Sequence, residues 1–273
     1  MADDPDIPPP PADRDIEIAA RLIEPWRRIV EPRYLGLDRI PAGGPMLLVG
    51  NHTIYGIQDL PVLLLDLYRE RGLKVRGLGD HNHFRAPVWG DLLKRVGAVD
   101  GTRRTCAELM RRGEPILVFP GGAREVHKRA GERYELIWKK RFGFARLAIE
   151  HGCPIVPFAA LGGDDNFEVL VDIDSTVMKP LAAVLERVGG DRAKEIIPPL
   201  SAGPRLEPFY FAFGDPIDTT PWAGCHEDQR TLRRVRDQVR RAIEAKLAEL
   251  AQLRDEEDPP TGVQRLAKAV LPT

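Results

Sequence analysis

With 273 residues, 43% of them apolar, and 40 basic side chains against 41 acidic ones, the chain has the composition of a globular protein with almost no net charge. That balance excludes a general attraction to nucleic acid, so any basic surface must be local. The three cysteines, Cys106, Cys153 and Cys225, show no paired spacing, which argues against a disulfide framework or zinc finger and for a reducing compartment.

The first residues, "MADDPDIPPPPADRD", are acidic and proline-rich, unlike a secretory leader, and residues 1–13 are expected to be a disordered tail. Residues 14–31 place Ile16, Ala19, Leu22, Ile23, Trp26 and Val30 at helical intervals, with Pro25 inside. This amphipathic helix either packs on the domain or lies in a membrane interface, where Trp beside Arg21, Arg27 and Arg28 suits the headgroup zone. From residue 36 strands alternate with helices. "PMLLVG", "KVRGLGD", "PILVFPGG", "CPIVPFAALGG" and "FYFAFGDPID" read as strands, and a further strand ends at "GAV". Helices are expected over "DLPVLLLDLYRERG", "APVWGDLLKRVGAV", "TCAELMRRGE" and "KKRFGFARLAIEHG", then near 179–189 and over the charged stretch 226–256. That rhythm predicts an α/β fold, a mostly parallel central sheet covered by helices, in one domain spanning 14–257. A loose tail is expected over 258–273. The longest apolar run, "PVLLLDLY", carries a charge and falls well short of the ~20 residues that cross a bilayer.

Three clusters sit where strands give way to loops, the usual place for function in parallel sheets. In "GNHTIYGIQD", Asn51 and His52 precede Asp59. If a helix began at 52, residues seven apart would share a face, letting the carboxylate orient the imidazole as a general base. In "VFPGGARE", Pro120, Gly121 and Gly122 free the backbone before Arg124 and Glu125, a plausible cradle for an anion or carbonyl. In "GAVDGTRRT", Arg103 and Arg104 sit at the start of a helix, where basic residues are unfavourable unless an anion is there too. "GDHNHF", with Asp80, His81 and His83, resembles part of a zinc site but lacks further ligands at familiar spacing. There is no Walker loop, no dinucleotide glycine pattern and no Gly-x-Ser-x-Gly elbow.

Taken in order over 46–161, these stretches resemble the four sequence blocks of the glycerolipid (phospholipid and lysophospholipid) acyltransferases. "GNHTIYGIQD" matches the first, "GAVDGTRR" the second, "VFPGGARE" the third and "CPIVPFAAL", with Pro157, the fourth. The PGG-x-R-E form resembles the branch of diacylglycerol acyltransferases and phytyl ester synthases. The family usually has four residues between its His and Asp, whereas six separate His52 from Asp59 and Ile57 holds the usual slot. The usual third block reads Phe-Pro-Glu-Gly-Thr-Arg, whereas Gly121 and Ala123 stand here for the glutamate and threonine.

The resemblance implies an O-acyltransferase that moves a fatty acyl group from a thioester, acyl-CoA or an acyl carrier protein, to a glycerolipid, lysophospholipid or neutral alcohol. His52 and Asp59 would be catalytic. Asn51, Arg103, Arg104, Pro120, Gly121, Gly122, Arg124 and Glu125 would bind substrate, with no cofactor or metal. Such a protein is expected to be cytoplasmic and peripherally associated with a membrane, through the 16–30 helix and rim residues such as Phe84 and Trp89. The alternatives are a non-catalytic lipid- or acyl-CoA-binding module on the same scaffold and a metal-dependent hydrolase built on Asp80, His81 and His83.

Overall fold

The computed structural model of the chain describes residues 7–173, 175–189 and 198–270. The expected disorder of residues 1–6 and the last three residues of the expected tail lie outside the described residues. In chain order the elements are α1 (Asp13–Val30), β1 (Arg33–Leu35), β2 (Met46–Gly50), α2 (Leu60–Arg71), β3 (Arg76–Gly79), α3 (His81–Arg85), α4 (Trp89–Arg95), β4 (Val99–Asp100), α5 (Arg103–Arg111) and β5 (Pro115–Val118). There follow α6 (Ala123–Val126), α7 (Gly143–Glu150), β6 (Ile155–Leu161), β7 (Glu168–Val171), α8 (Lys179–Gly189), β8 (Leu200–Ala202), β9 (Tyr210–Phe213), α9 (Gln229–Glu257) and α10 (Gly262–Val270).

Seven strands form one sheet in the order β1-β9-β6-β2-β5-β3-β4. From β6 to β4 neighbouring strands are parallel, while β9 runs antiparallel to β6 and takes β1 with it. Alternate residues of each strand serve opposite faces, as a two-residue period requires. Leu47 and Val49 of β2 join α5, α7 and α9 in one core, and Met46 and Leu48 join α1 and α2 in the other. Strands buried on both sides read as continuous apolar runs, which is why "MLLV" and "IVPFAAL" were legible as strands.

The charged helix α9 packs on the sheet through Leu232, Val235, Val239, Ile243, Leu247 and Leu250, a stripe of three- and four-residue steps, and carries the expected Arg240–Glu244 pair (2.8 Å) on its exposed side. Helix α1 is likewise a packing helix. Ile23 and Trp26 lie against the core, the Trp26 indole N–H donates to the Gln58 carbonyl (3.1 Å), and Arg27 pairs with Asp66 at 2.7 Å. Its two sharpest membrane-contact residues are therefore used internally. The stretch 258–270 is not a loose tail, because α10 docks on α1 and buries Arg265, which donates to the carbonyls of Ile29, Pro260 and Leu206. Nor are residues 7–11 disordered: Ile7 packs on the core and the Pro8 carbonyl accepts from the buried Arg76 guanidinium. No helix among the described residues is long and apolar enough to cross a membrane.

Candidate active site

The parallel strands β6, β2, β5 and β3 all end at one edge of the sheet, and the chain turns outward there. Gly50 closes β2 where a Cβ would meet the Phe158 ring at 2.3 Å, so only glycine fits. Asn51 then extends the ladder with its side chain: its amide donates to the Ala160 carbonyl and its oxygen accepts from the Ala160 N–H, both at 2.8 Å. Satisfied on both atoms and buried, Asn51 clamps β2 to β6 and is not turned toward a substrate. The next residue, His52, leaves the strand half-buried, with its ring 4.2 Å from that of Phe119 at the end of β5. A Cβ on Gly56 would come within 1.9 Å of His52 Cε1, so the ring is seated against bare backbone.

The expected pairing of His52 with Asp59 does not form. Residues 54–59 are bends and α2 begins only at Leu60, so the two residues do not share a helical face. The Asp59 carboxylate instead accepts from the Thr53 hydroxyl (2.8 Å), and His52 Nδ1 lies 3.1 Å from the Thr53 carbonyl. A carbonyl only accepts, so Nδ1 carries the hydrogen and Nε2 keeps its lone pair. Thr53 thus does by its backbone what the aspartate was expected to do directly, and Asp59 acts one step back by holding Thr53. Burial, reinforced by the Lys128 ammonium, pushes the His52 ring down to about 3, so it is neutral at physiological pH. Burial also pushes the Asp59 carboxyl above its ordinary range.

A set of charged side chains lies beneath this ring. Lys128 and Asp164, both fully buried, pair at 2.7 Å. Lys128 also donates to the His52 carbonyl (2.6 Å), while Asp164 accepts from the N–H groups of Ile54 (2.7 Å) and Tyr134 (2.8 Å). This pair therefore ties the His52 loop to the segment after α6. Glu125 accepts from the His52 N–H (3.3 Å) and the Ile137 N–H (2.8 Å), and burial pushes its carboxyl up to about 7. Neither Lys128 nor Asp164 was expected from sequence. They lie 36 residues apart, Lys128 in a loop and Asp164 at the start of a short 3-10 turn, and such a pair has no local periodicity to reveal it.

The third block is only partly open to a ligand. Pro120 and Gly121 are buried, and a Cβ on Gly121 would meet the Glu125 carboxyl carbon at 2.1 Å, so the glutamate side chain fills the room that a residue-121 side chain would take. Gly122 turns the chain at φ +52, with its N–H donated to the Phe119 carbonyl (3.0 Å) and so not free for an oxyanion. The Arg124 guanidinium is buried and paired with Glu132, which removes it from the expected anion cradle. Arg103 and Arg104 are exposed at the start of α5, which is capped by the Thr102 hydroxyl accepting from the Thr105 N–H (3.1 Å). They follow β4, three strands from β2, or roughly 14 Å at ordinary spacing.

The histidine-rich stretch is structural. Asp80 caps α3 by accepting from the Asn82 N–H, and His81 bonds Asp100 at 2.9 Å. Among the described residues no three His, Cys, Asp or Glu side chains converge as a metal site, so the hydrolase alternative has no ligand set in this structure. A cleft of about 260 Å³ between α1 and α2 and one of about 390 Å³ beside α10 both lie away from His52.

A histidine ring with Nδ1 against a backbone carbonyl thus sits where the parallel strands end, with glycine turns packed around it. The family described as Acyltransferase matches residues 31–160 of the chain. Phytyl ester synthase 1, chloroplastic, of Arabidopsis thaliana is 32% identical over 245 residues, which are 82% of this chain and 34% of that protein. The human DGAT1/2-independent enzyme synthesizing storage lipids is 32% identical over 146 residues, 50% of this chain and 44% of that protein. This chain thus spans about a third to a half of the length of these relatives. The 1-acyl-sn-glycerophosphate (LPA) acyltransferase PlsC of Thermotoga maritima shares the fold, at TM-score 0.51 and 14% identity over 85% of this chain and 78% of that one.

Proposed function

We propose that the protein transfers a fatty acyl group from a thioester, acyl-CoA or acyl carrier protein, to the hydroxyl of a lipid or long-chain alcohol at a membrane surface. The observation that carries this reading is the tautomer of His52: with Nδ1–H held by the Thr53 carbonyl, Nε2 is free to accept a proton. In the reaction Nε2 takes the proton of the acceptor hydroxyl as its oxygen attacks the thioester carbonyl. The tetrahedral intermediate collapses with cleavage of the C–S bond, and the proton passes from Nε2 to the departing thiolate. The burial and the Lys128 charge that keep the ring neutral also make it a weak base, so its protonation depends on the negative charge that develops beside it as the hydroxyl attacks. The glycine at 121, with Glu125 occupying its side-chain space, favours an acceptor without a phosphate, in line with the names of the phytyl ester and storage-lipid relatives.

The test is to incubate the pure protein with labelled acyl-CoA and a mixed lipid extract and identify the ester by mass. His52→Ala is expected to lower turnover at least ~10²-fold with thermal stability retained. A variant that transfers acyl chains at the wild-type rate would end this mechanism. The missing bond between the ring and a carboxylate favours a second reading, a module that binds acyl-CoA without turning it over. Saturable acyl-CoA binding with no ester formed from any acceptor would favour it.

A further inference from the structure

The hairpin of α3 and α4, residues 81–96, presents an apolar face that the fold leaves uncovered. Val88 is 81% exposed, Trp89 43%, Leu92 49% and Val96 37%, and none of the four belongs to either hydrophobic core. Trp89 and Leu92 lie one turn apart on α4. Val88 and Val96, which flank the helix, are tied to Leu92: the Leu92 N–H donates to the Val88 carbonyl (3.0 Å) and the Val96 N–H to the Leu92 carbonyl (3.1 Å), so the four cluster along one side of the hairpin. The opposite face is anchored: a Cβ on Gly90 would meet the Phe84 carbonyl oxygen at 2.6 Å, and the Phe84 ring folds onto Gly79 at the end of β3. Phe84, expected at the membrane rim, is thus spent on holding the hairpin to the sheet.

Charge surrounds this face unevenly. Between His81 and Arg104 there are five basic residues, Arg85, Lys94, Arg95, Arg103 and Arg104, against two acidic ones, Asp91 and Asp100, in a chain whose overall charge is −1. All five basic residues are exposed. A tryptophan and aliphatic side chains exposed within a stretch rich in exposed arginine and lysine have the chemistry of the headgroup boundary of an anionic membrane. The hairpin leaves the sheet from the end of β3, at the same edge as His52 and two strands from it, about 10 Å at ordinary spacing.

We infer that α4 and its basic surround are the surface by which the protein docks on an anionic lipid bilayer, setting the edge that carries His52 against the membrane. This rests on the acyl-transfer reading for its purpose, but not for its detection. The occupant is a lipid surface because the exposed apolar face lies within a locally basic, exposed stretch of the chain, and it replaces α1, whose Ile23 and Trp26 are already packed.

The experiment measures partition of the full chain onto vesicles of phosphatidylcholine with and without phosphatidylglycerol, by co-sedimentation and by quenching of Trp89 with brominated lipid. The wild type is expected to bind the anionic vesicles at least tenfold better, and to weaken as salt rises. Trp89→Asp, and separately Leu92→Asp, should each lower that partition at least tenfold with thermal unfolding unchanged. Leu22→Asp, on the exposed side of α1, should change it less than twofold. The inference is overturned if the wild type does not bind, if both α4 variants bind like the wild type, or if Leu22→Asp alone removes binding. It is equally overturned if the wild type is a dimer that Trp89→Asp dissociates, or if Trp89→Asp slows transfer to a detergent-dispersed acceptor as much as to a vesicle-borne one. A wild type that binds vesicles but forms no ester would overturn the acyl-transfer reading while supporting this surface.

Discussion

Two regions at the same edge of the sheet invert the usual placement of side chains. Around His52 the interior is polar: Asn51, Thr53, Asp59, Glu125, Lys128 and Asp164 are buried, and each makes a hydrogen bond or ion pair. Two strands away the exterior is apolar, with Val88, Trp89, Leu92 and Val96 facing solvent. Buried polar groups persist only when fully partnered, so the first region has essentially one arrangement and is rigid. Exposed apolar groups carry no such demand, so the second is determined by what it meets and not by the fold. The comparison separates a region whose polar groups are all partnered around one ring from one whose apolar groups have no partner within the described fold.

The largest expected effect breaks the first region. Lys128→Met leaves Asp164 buried without its cation and the His52 carbonyl without its donor, and should cost about 3–5 kcal/mol of unfolding free energy by urea titration. A loss below about 1 kcal/mol would mean that the pair does not hold the two loops together. Smaller and pH-dependent is the effect of Glu125, whose carboxyl is raised from 4.5 to about 7 in the folded chain. Its contribution is fully present below pH 4.5 and lost as pH rises through 7, amounting to roughly 3 kcal/mol across that window. Glu125→Gln should remove that slope, with the His52 titration shared by both chains and cancelling in their difference. Parallel stability curves for the two chains between pH 4.5 and 7 would contradict it.

The smallest effect sharpens the second region. Val88, at φ +65 and ψ −50, sits at the apex of a turn in which the Trp89 N–H donates to the Pro87 carbonyl at 2.7 Å. A β-branched residue is strained in that conformation. Val88→Gly should raise stability by about 1 kcal/mol in the same urea titration, the opposite sign from any substitution among the buried polar groups. A loss there would mean that the exposed face contributes to the fold, and the contrast would fail.

Much of the architecture was legible because burial on both faces leaves a mark on local sequence. β2 and β6 are unbroken apolar runs, α2 ends at Gly72 (φ +66), and α9 shows its stripe beneath a charged surface. The short edge strand β1 and the antiparallel pair β7 and β8 escaped notice, since only one to two residues of each strand face inward and no period can be read. At the candidate site, the placement of His52 just beyond the end of β2 was legible from the strand-ending glycine before it. Its partner was not: spacing along the chain suggested Asp59, but the bends at 54–59 carry that carboxylate to Thr53. Arg124 was legible as a residue of interest, yet whether it faced a ligand or Glu132 depended on a loop eight residues further on.

By itself the sequence determined the alternation of strands and helices, the position of His52 at a strand end and the resemblance to acyltransferases, because each is written in short local runs of residues. Only the tertiary structure decided which oxygen holds His52 in its tautomer, that Lys128 and Asp164 lie beneath it, and which helix leaves its apolar face exposed. The Lys128–Asp164 pair joins residues 36 apart, and even the contact between the neighbours His52 and Thr53 depends on a bent loop whose path is fixed only once the strands have been brought to a common edge.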